Sequence, residues 1–373
     1  MNFSAADHAH MARALRLAER GLDTTSPNPR VGCILVRNDR VVGEGWHERA
    51  GEAHAEIHAL RMAGAAASGA TAYVTLEPCS HHGRTPPCAG ALIDAGVSRV
   101  VAAMRDPNPQ VAGCGIEMLT LAGILVEVGL MEAEARELNI GFVSRMTRGR
   151  PWVRLKTASS LDGKTALDNG ESKWITGEAA RADVHAWRAR ACAVLTGIGT
   201  VLADDPRMNV RTVPTPRQPV RVVVDSALRT PPTASILGSL ASPSEEGDGG
   251  EGTTLIVCAR ADSARRDALL AAGALILEMP GSDGRVDLDA LMRELGTRGI
   301  NEVHAEAGAT LNGALLDAGL VDEWLAYFAP LAMGHRARGL FDLPALTDMG
   351  ARKAFRLLDS RMVGGDLRLR LRP

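Results

Sequence analysis

Four residues in the first part of the chain have the types and spacing of a metal-dependent catalytic site. His54 and Glu56 lie two positions apart in "HAEIHAL", and Cys79 and Cys88 follow in "LEPCSHHGRTPPC". Zinc prefers histidine nitrogen and cysteine sulfur, and a catalytic zinc site takes three protein ligands and keeps a fourth position for water. Because His54, Cys79 and Cys88 fit that count, we predict that they are the metal ligands.

Glu56 is predicted to move protons rather than to bind the metal. Zinc with one imidazole and two thiolates has a net charge near zero, so it should acidify its water less than zinc held by three histidines, which brings that pKa to about 7. A carboxylate must therefore take the water proton and return it to a leaving amine. Glu56 lies in the first turn of a predicted helix, where it can face the same side as His54.

Two less specific interpretations stay open at the level of spacing. His58 lies four residues after His54, but the order of residues is not the HExxH order of zinc proteases, so we interpret His58 as a packing residue or a support behind the ligands. A structural zinc site would need a fourth histidine or cysteine, which His81 or His82 could supply.

The elements that must position these residues alternate along the first part of the chain. Helical spacing and turn residues predict helices over 9–20, 54–67, 88–95, 116–122 and 132–147, and between them the strands "VGCILV", "AYVTLE", "RVVAAM" and "ILVEV". This alternation predicts a mostly parallel sheet with helices on both faces. His54 then opens a helix and Cys79 follows a strand, where strand ends converge on a crevice.

A second domain is predicted after "RGRPW" at 148–152, which gives domains over 1–146 and 150–373. Strands are predicted at "VRLKTA", "AVLTG", "VRVVVD", "TLIVCA", "ALILEM", "EVHAEAG", "EWLAYFAP" and "DLRLRLR", with helices that include 179–191 and 311–318. The segment 241–252 is rich in glycine, serine and acid, so we expect a mobile surface loop there.

The composition excludes several classes of function. The 373 residues carry a net charge of -2 and only 3% aromatic residues, which argues against a nucleic-acid partner. The chain shows neither a signal peptide nor an apolar run long enough to span a membrane, so we expect a cytoplasmic protein. Its six cysteines should then be mostly reduced, and a close pair is expected to bind metal or to act in catalysis.

These motifs resemble those of known enzyme families. H-x-E followed by P-C-x-x-C is the signature of zinc-dependent cytidine and nucleobase deaminases, although here eight residues separate Cys79 from Cys88. With "TSPNPRVG", "GWH" and "DPNPQVAG", residues 1–146 resemble the deaminase half of the bifunctional riboflavin-biosynthesis deaminase/reductases. "KTASSLDGK", "GESKWIT", "TVLADDP" and "EAGATLNGALL" resemble their reductase half. The resemblance implies an α/β fold, with an N-terminal cytidine-deaminase-like layered domain and a C-terminal dihydrofolate-reductase-like domain.

The resemblance also implies two consecutive reactions on a small pyrimidine ribotide. The first removes the ring 2-amino group of 2,5-diamino-6-(5-phosphoribosylamino)pyrimidin-4(3H)-one, with a zinc-activated water, Glu56 as proton shuttle, and Asn28 and His47 holding the pyrimidine. The second uses NADPH to reduce the ribosyl group of 5-amino-6-(5-phosphoribosylamino)uracil to ribityl. Neither a nucleic acid nor a membrane is implied as a partner, and a dimer or tetramer is the expected assembly.

Matching motif positions give the implied contacts of the reductase. Those for NADPH are Ala158, Trp174, Thr200, Asp204, Ser226, Gly308, Ala309, Thr310, Leu311, Asn312, Gly313 and Ala314. Those for the substrate are Ser172, Arg188, Met208, Arg211 and Glu306. Met208 stands where the family more often has a leucine, and Trp174 could instead be a core residue.

Two rival functions make different predictions. A deaminase that acts on a tRNA base would show a basic surface and two cysteines separated by two residues. A structural-zinc binding module fused to a nucleotide-sensing domain would supply a fourth ligand and would not need Glu56.

Overall fold

The computed structural model of the protein describes residues 3–80, 87–109, 111–238 and 252–373. The chain divides into two units, Met1–Gly149 and Arg150–Pro373. Within the described ranges, none of the helices has the length and apolar character needed to cross a membrane.

The first unit is a five-stranded sheet covered by helices. Its helices are α1 Ala5–Ala18, α2 Ala55–Ala63, α3 Cys88–Asp94, α4 Cys114–Leu121, α5 Glu132–Leu138 and α6 Ile140–Arg148. Its strands are β1 Gly32–Arg37, β2 Arg40–Trp46, β3 Thr71–Val74, β4 Arg99–Ala102 and β5 Leu125–Val128. They lie in the order β2-β1-β3-β4-β5, and the core contains Met11, Leu15, Ile34, Leu35 and Leu92.

The prediction of a mostly parallel sheet holds for β3, β4 and β5 but is wrong for the other edge. There β1 pairs antiparallel with both β2 and β3. Asn38 and Asp39 join β1 to β2 with φ of 50° and 60°. Two consecutive residues with positive φ are what a tight hairpin needs. β2 was not predicted from the sequence.

Glycines on β2 allow α2 to lie directly on the sheet. A Cβ added at Gly45 would be 2.6 Å from the backbone oxygen of Ala55 and 2.4 Å from Cβ of His58. A Cβ at Gly43 would be 2.1 Å from the backbone oxygen of Ala59. The position of α2, which begins just after His54, therefore depends on the absence of side chains at these two glycines.

The single helix predicted over 132–147 is two helices, because Asn139 interrupts it. The backbone of Asn139 leaves the helical region, with φ -104° and ψ 22°. Its side chain accepts a hydrogen bond from the backbone N–H of Arg30 at 2.7 Å and donates one to the backbone oxygen of Arg30 at 2.9 Å. The break thus fixes the segment that contains Asn28.

The second unit is built on a nine-stranded sheet. Its helices are α7 Glu178–Arg190, α8 Ile198–Asp204, α9 Ser263–Ala271, α10 Leu288–Thr297 and α11 Ala309–Asp317. Its strands are β6 Trp152–Ser160, β7 Lys164–Ala166, β8 Ala193–Gly197, β9 Val220–Val224, β10 Thr254–Cys258, β11 Leu275–Glu278, β12 Glu302–Ala305, β13 Glu323–Ala329, β14 Arg338–Gly339, β15 Arg356–Val363 and β16 Asp366–Arg372. The large sheet has the order β11-β10-β9-β8-β12-β6-β13-β16-β15, and β7 pairs with β14 in a small separate sheet.

In this order, the seven strands from β11 across the sheet to β13 are parallel to one another. β16 and β15 then add an antiparallel edge. Alternate side chains of β10 enter separate apolar clusters, with Leu255 and Val257 in one and Ile256 and Cys258 in the other. Burial on both faces explains why these strands show up as continuous apolar runs in the sequence.

The centre of this sheet holds a buried ion cluster. Arg154 on β6 is fully buried, and its guanidinium bonds to Glu302 on β12 at 3.0 Å and to Glu323 on β13 at 2.9 Å. Arg370 and Arg372 of β16 also donate to Glu323. The two carboxylates are therefore fully buried only because arginines surround them.

Candidate active sites

The three predicted zinc ligands lie together in the first unit. Nδ1 of His54 is 3.3 Å from Sγ of Cys88 and 3.5 Å from Sγ of Cys79. Tetrahedral bonds of about 2.3 Å to sulfur and 2.0–2.1 Å to nitrogen would place bonded S and N atoms about 3.5 Å apart. The donor atoms are thus already spaced for zinc, and within the described ranges no other group of His, Cys, Asp or Glu has this arrangement.

Each ligand is held by the start of a helix or the end of a strand. His54 is the N-cap of α2 and has an extended backbone, Cys88 opens α3, and Cys79 follows β3. The backbone N–H of Cys88 donates to Sγ of Cys79 at 3.3 Å. Hydrogen bonding from Cys88 lowers the pKa of Cys79 to about 4 and raises that of Cys88. The hydrogen bond between the two thiols therefore favours a thiolate at this site, the form that binds metal.

Glu56 lies beside these ligands in the first turn of α2 and is only 3% exposed. Burial, with a smaller contribution from the charge of Cys79, raises the pKa of Glu56 to about 7. A carboxyl group with a pKa close to neutrality can both accept and return a proton. The side chain thus has the property that proton transfer needs, at the position predicted for it.

Asn28 and His47 lie next to the zinc ligand His54 and are hydrogen-bonded to each other. The side-chain amide of Asn28 donates to Nε2 of His47 at 3.1 Å, and Nδ1–H of His47 donates to the backbone oxygen of Ala53 at 3.1 Å. The rings of His47 and His54 meet edge to face at 5.3 Å. Burial lowers the pKa of His47, which keeps the ring neutral.

Glu77 is a residue that the sequence analysis did not single out. Its Oε2 accepts from the backbone N–H groups of Asp106 and Gly113, and its Oε1 accepts from those of Gly115 and Ile116. One carboxylate therefore ties the "DPNPQVAG" loop to the segment that leads into the cysteine ligands. The motif "LEPC" was a signal for Glu77, but its partners lie about 30 to 40 residues away along the chain.

His58 is not part of the metal-ligand group. Its Cβ faces Gly45 of β2, which agrees with a packing role. His81 and His82, the possible ligands of a structural zinc site, lie outside the described residues, as does the 241–252 segment except for Gly252.

The second unit contains a cavity of about 1230 Å³ at the carboxyl ends of its parallel strands. Its lining includes Gly197 at the end of β8 with Ile198 after it, and Ala307 and Gly308 after β12. These two strands are neighbours. After β8 the chain goes on to β9, toward one edge of the sheet, and after β12 it goes on to β13, toward the other edge. In open α/β sheets such a switch point is where dinucleotides bind.

Eleven of the twelve residues predicted to contact NADPH line this cavity. They are Ala158, Trp174, Thr200, Asp204, Ser226, Gly308, Ala309, Thr310, Leu311, Asn312 and Ala314. Gly313 does not line it, because its Cα packs on the backbone of Asp342, where an added Cβ would lie 2.0 Å from the oxygen. Trp174 is 70% exposed, so the interpretation of this residue as core was wrong.

All five residues predicted to contact the substrate line the same cavity: Ser172, Arg188, Met208, Arg211 and Glu306. Arg188 makes two hydrogen bonds to the carboxylate of Glu306, and Nζ of Lys156 lies 3.5 Å from it. Burial alone would raise the pKa of Glu306, but Arg188 and Lys156 hold it well below its ordinary value. Lys156 also lines the cavity and was not predicted as a contact.

Arg211 lines the same cavity, and among the described residues no carboxylate neutralises its charge. Its backbone N–H donates to Nδ1 of His185 at 3.3 Å. Burial lowers the pKa of Arg211, and the nearby charges of Arg188 and Arg207 lower it further. Met208, buried with φ of 48°, packs its sulfur 3.9 Å from Arg188.

Each unit matches the model of a known protein family. Residues 4–104 match the family model for the cytidine and deoxycytidylate deaminase zinc-binding region, and residues 151–369 match that for the RibD C-terminal domain. The riboflavin biosynthesis protein RibD of Escherichia coli is 50% identical over 377 residues, which cover 98% of this chain and 99% of that protein. The chain belongs to the RibD family.

Solved structures of the family have the same fold. RibD of Acinetobacter baumannii superposes with a TM-score of 0.90 at 47% identity, over 99% of each chain. A diaminohydroxyphosphoribosylaminopyrimidine deaminase/5-amino-6-(5-phosphoribosylamino)uracil reductase from Thermotoga maritima does so with a TM-score of 0.85 at 31% identity, again over 99% of each chain.

Membership of the family confirms the predicted enzyme class. The protein is a bifunctional enzyme of riboflavin biosynthesis, a pyrimidine deaminase and a reductase. His54, Cys79 and Cys88 form its zinc site, and RibD reductases use NADPH. The rival interpretations, a tRNA-base deaminase and a zinc module without catalysis, are therefore wrong.

Proposed function

We propose that the first unit, over residues 1–146, deaminates 2,5-diamino-6-(5-phosphoribosylamino)pyrimidin-4(3H)-one, and that the second, over 150–373, reduces the ribosyl group of the resulting uracil. The observation that carries this proposal is the convergence of three zinc donors, spaced at 3.3 and 3.5 Å, on one buried carboxyl group. The Thermotoga maritima relative is named for these same two activities.

In the deamination, water adds to the ring carbon that carries the amino group, and ammonia leaves. Zinc bound by His54, Cys79 and Cys88 would supply Lewis-acid activation of that water. Glu56 takes the proton from the attacking water and delivers it to the departing nitrogen, which its raised pKa allows. Asn28 and His47 orient the pyrimidine, since both carry polar groups next to His54.

In the reduction, a hydride is added to C1' of the sugar, which reacts as the ring-opened imine, and a proton completes the ribityl product. NADPH would supply the hydride and leave as NADP⁺. The free backbone N–H groups at the start of α11, from Gly308 onward, suit its diphosphate. Arg211 is suited to the 5'-phosphate of the substrate, while Arg188 and Glu306, joined as an ion pair, face the sugar.

We also propose that the enzyme works in the cytoplasm as a dimer or tetramer. Reduced thiols at Cys79 and Cys88 support the compartment, because zinc binding requires them. The assembly rests on the general pattern of the family, and sedimentation of the purified chain would measure it directly.

The variant Glu56→Gln tests the role of the carboxyl group in the first reaction. It keeps the size of the side chain but cannot carry a proton, so we expect ammonia release to fall by about 10²- to 10⁴-fold while one zinc per chain remains bound. Ammonia is measured from the diaminopyrimidine ribotide, and zinc by elemental analysis.

The second reaction serves as the internal control for this variant. When the aminouracil ribotide is supplied directly, Glu56→Gln should oxidise NADPH at the wild-type rate, because the residue belongs to the first unit. Ammonia release near the wild-type rate in the zinc-loaded variant would refute the proton-shuttle role. Wild-type protein that releases ammonia but never oxidises NADPH would refute the reductase assignment.

A further inference from the structure

The turn after β9 presents an arginine to the cavity of the second unit. Asp225 begins this turn, and its buried carboxylate accepts hydrogen bonds from the backbone N–H of Thr230 at 2.7 Å and from the hydroxyl of Thr230 at 2.8 Å. Leu228 takes a φ of 50° and donates its backbone N–H to the backbone oxygen of Asp225. Hydrogen bonds between its own residues thus fix the shape of the turn. Arg229, an exposed residue of the turn, lines the cavity.

The acidic residue in this turn, Asp225, is buried and does not line the cavity. In many dinucleotide-binding α/β folds, an acidic side chain at a strand end of this kind binds the 2'-hydroxyl of an NAD ribose, whereas a nearby arginine accommodates the 2'-phosphate of NADP. Here Ser226, Ala227 and Arg229 line the cavity, while Asp225 is fully buried outside its lining and Thr230 binds one oxygen of its carboxylate. The group that would repel a phosphate is therefore withdrawn.

A second arginine comes from a different part of the chain. Oγ of Ser226 accepts a hydrogen bond from the backbone N–H of Val286 at 3.3 Å, which joins the turn to the segment that carries Arg285. Arg285 lines the cavity and has, among the described residues, only a long ion pair of 3.9 Å with Asp283. Both arginines could thus turn toward an anion without giving up a strong partner.

We propose that Arg229 and Arg285 bind the 2'-phosphate of NADPH and so make the cavity select NADPH over NADH. This inference rests on the proposed function of the second unit. The start of α11 receives the diphosphate, and β9 lies one strand beyond β8 on the side away from β12, so the adenosine extends toward Ser226. Substrate and nicotinamide then occupy the part lined by Arg188 and Glu306.

The test measures binding to the full chain by calorimetry, with NADPH, NADH and adenosine 2',5'-bisphosphate as ligands. Loss of one charge-assisted hydrogen bond on an exposed arginine corresponds to about a tenfold rise in Kd. We therefore expect Arg229→Ala and Arg285→Ala each to raise the Kd for NADPH and for the bisphosphate about tenfold, and the double variant to raise it further. The Kd for NADH should stay unchanged.

Arg293→Ala is the matched control, since Arg293 is an exposed arginine of α10 that pairs with Asp289 and does not line the cavity. It should bind all three ligands as the wild type does. Equal weakening of NADPH and NADH, or no weakening of NADPH in the double variant, would overturn the inference while leaving the proposed reductase in place. A wild-type chain that binds neither NADPH nor NADH would overturn both.

Discussion

Replacement of Gly45 by alanine should disturb the zinc site from a distance. The new Cβ would lie 2.6 Å from the backbone oxygen of Ala55 and 2.8 Å from the backbone nitrogen of Ala59, where ordinary contacts begin at 3.4 Å. Cβ of His58 would be closer still, at 2.4 Å, and none of these atoms can rotate away from the α2 backbone, so α2 must move by about 1 Å. Metal sites tolerate changes of only about 0.2 Å in ligand distances.

The shift would move His54 and Glu56 relative to the two cysteines. We expect Gly45→Ala to weaken zinc binding by about 10- to 100-fold, as for other changes that disturb the support of metal ligands. Overpacking should also cost about 1–3 kcal/mol of unfolding free energy. Competition with a chelating dye gives the zinc affinity, and ammonia release should fall with the zinc content.

Gly90→Ala is the matched control in the same unit. Gly90 lies in α3, and a Cβ there would make only ordinary contacts, at 3.6 Å or more, so we expect unchanged zinc affinity. Reduction of the aminouracil ribotide should be unaffected in both variants. A folded Gly45→Ala protein with wild-type zinc affinity, or equal losses in the two variants, would refute the argument that these glycines set the position of α2.

Two further predictions concern buried carboxylates. Glu77→Gln keeps one side-chain oxygen as an acceptor but replaces the other with an NH2 group, so two of the four backbone N–H groups lose their partner. In thermal unfolding, the free energy of unfolding should fall by about 2 kcal/mol. The control variant Glu117→Gln, on the exposed face of α4, should leave it unchanged. Burial opposes ionisation of Glu323, but Arg154 and Arg370 lower its pKa from 4.5 to about 2, which is worth about 3 kcal/mol above pH 4.5 and is lost as the pH falls toward 2. In urea unfolding, the stability difference between wild type and Glu323→Gln should therefore shrink over that range, and a constant difference would contradict the assignment.

The chemistry of the first unit could be predicted from sequence because its donors belong to a short list of residue types. Histidine and two cysteines at a strand end and two helix starts suffice to predict a zinc site. The role of Glu77 could not be predicted, because a carboxylate that accepts four backbone N–H groups shows no local pattern. Its partners are defined only once the loop has folded against it.

Two of the strands that were not predicted, and the break at Asn139, have causes that lie outside the local sequence. β2 contains Gly43 and Gly45, which weaken the local strand signal, and both glycines are needed only because α2 lies against them. β15 is an exposed edge strand with a register shift near Leu357, so its polar and apolar residues do not alternate clearly. Asn139 gives up helical geometry for two hydrogen bonds to a distant loop.

The buried cluster around Arg154 has a consequence for how the protein can evolve. Removal of one partner from a buried ion pair typically costs about 3–5 kcal/mol, whereas replacement of the whole group by apolar residues can be neutral. Arg154, Glu302 and Glu323 lie on three adjacent strands, and Arg154 precedes the two glutamates by 148 and 169 residues along the chain. A single substitution at any of them would produce a strongly destabilised evolutionary intermediate. These positions should therefore change together among diverging sequences or not at all.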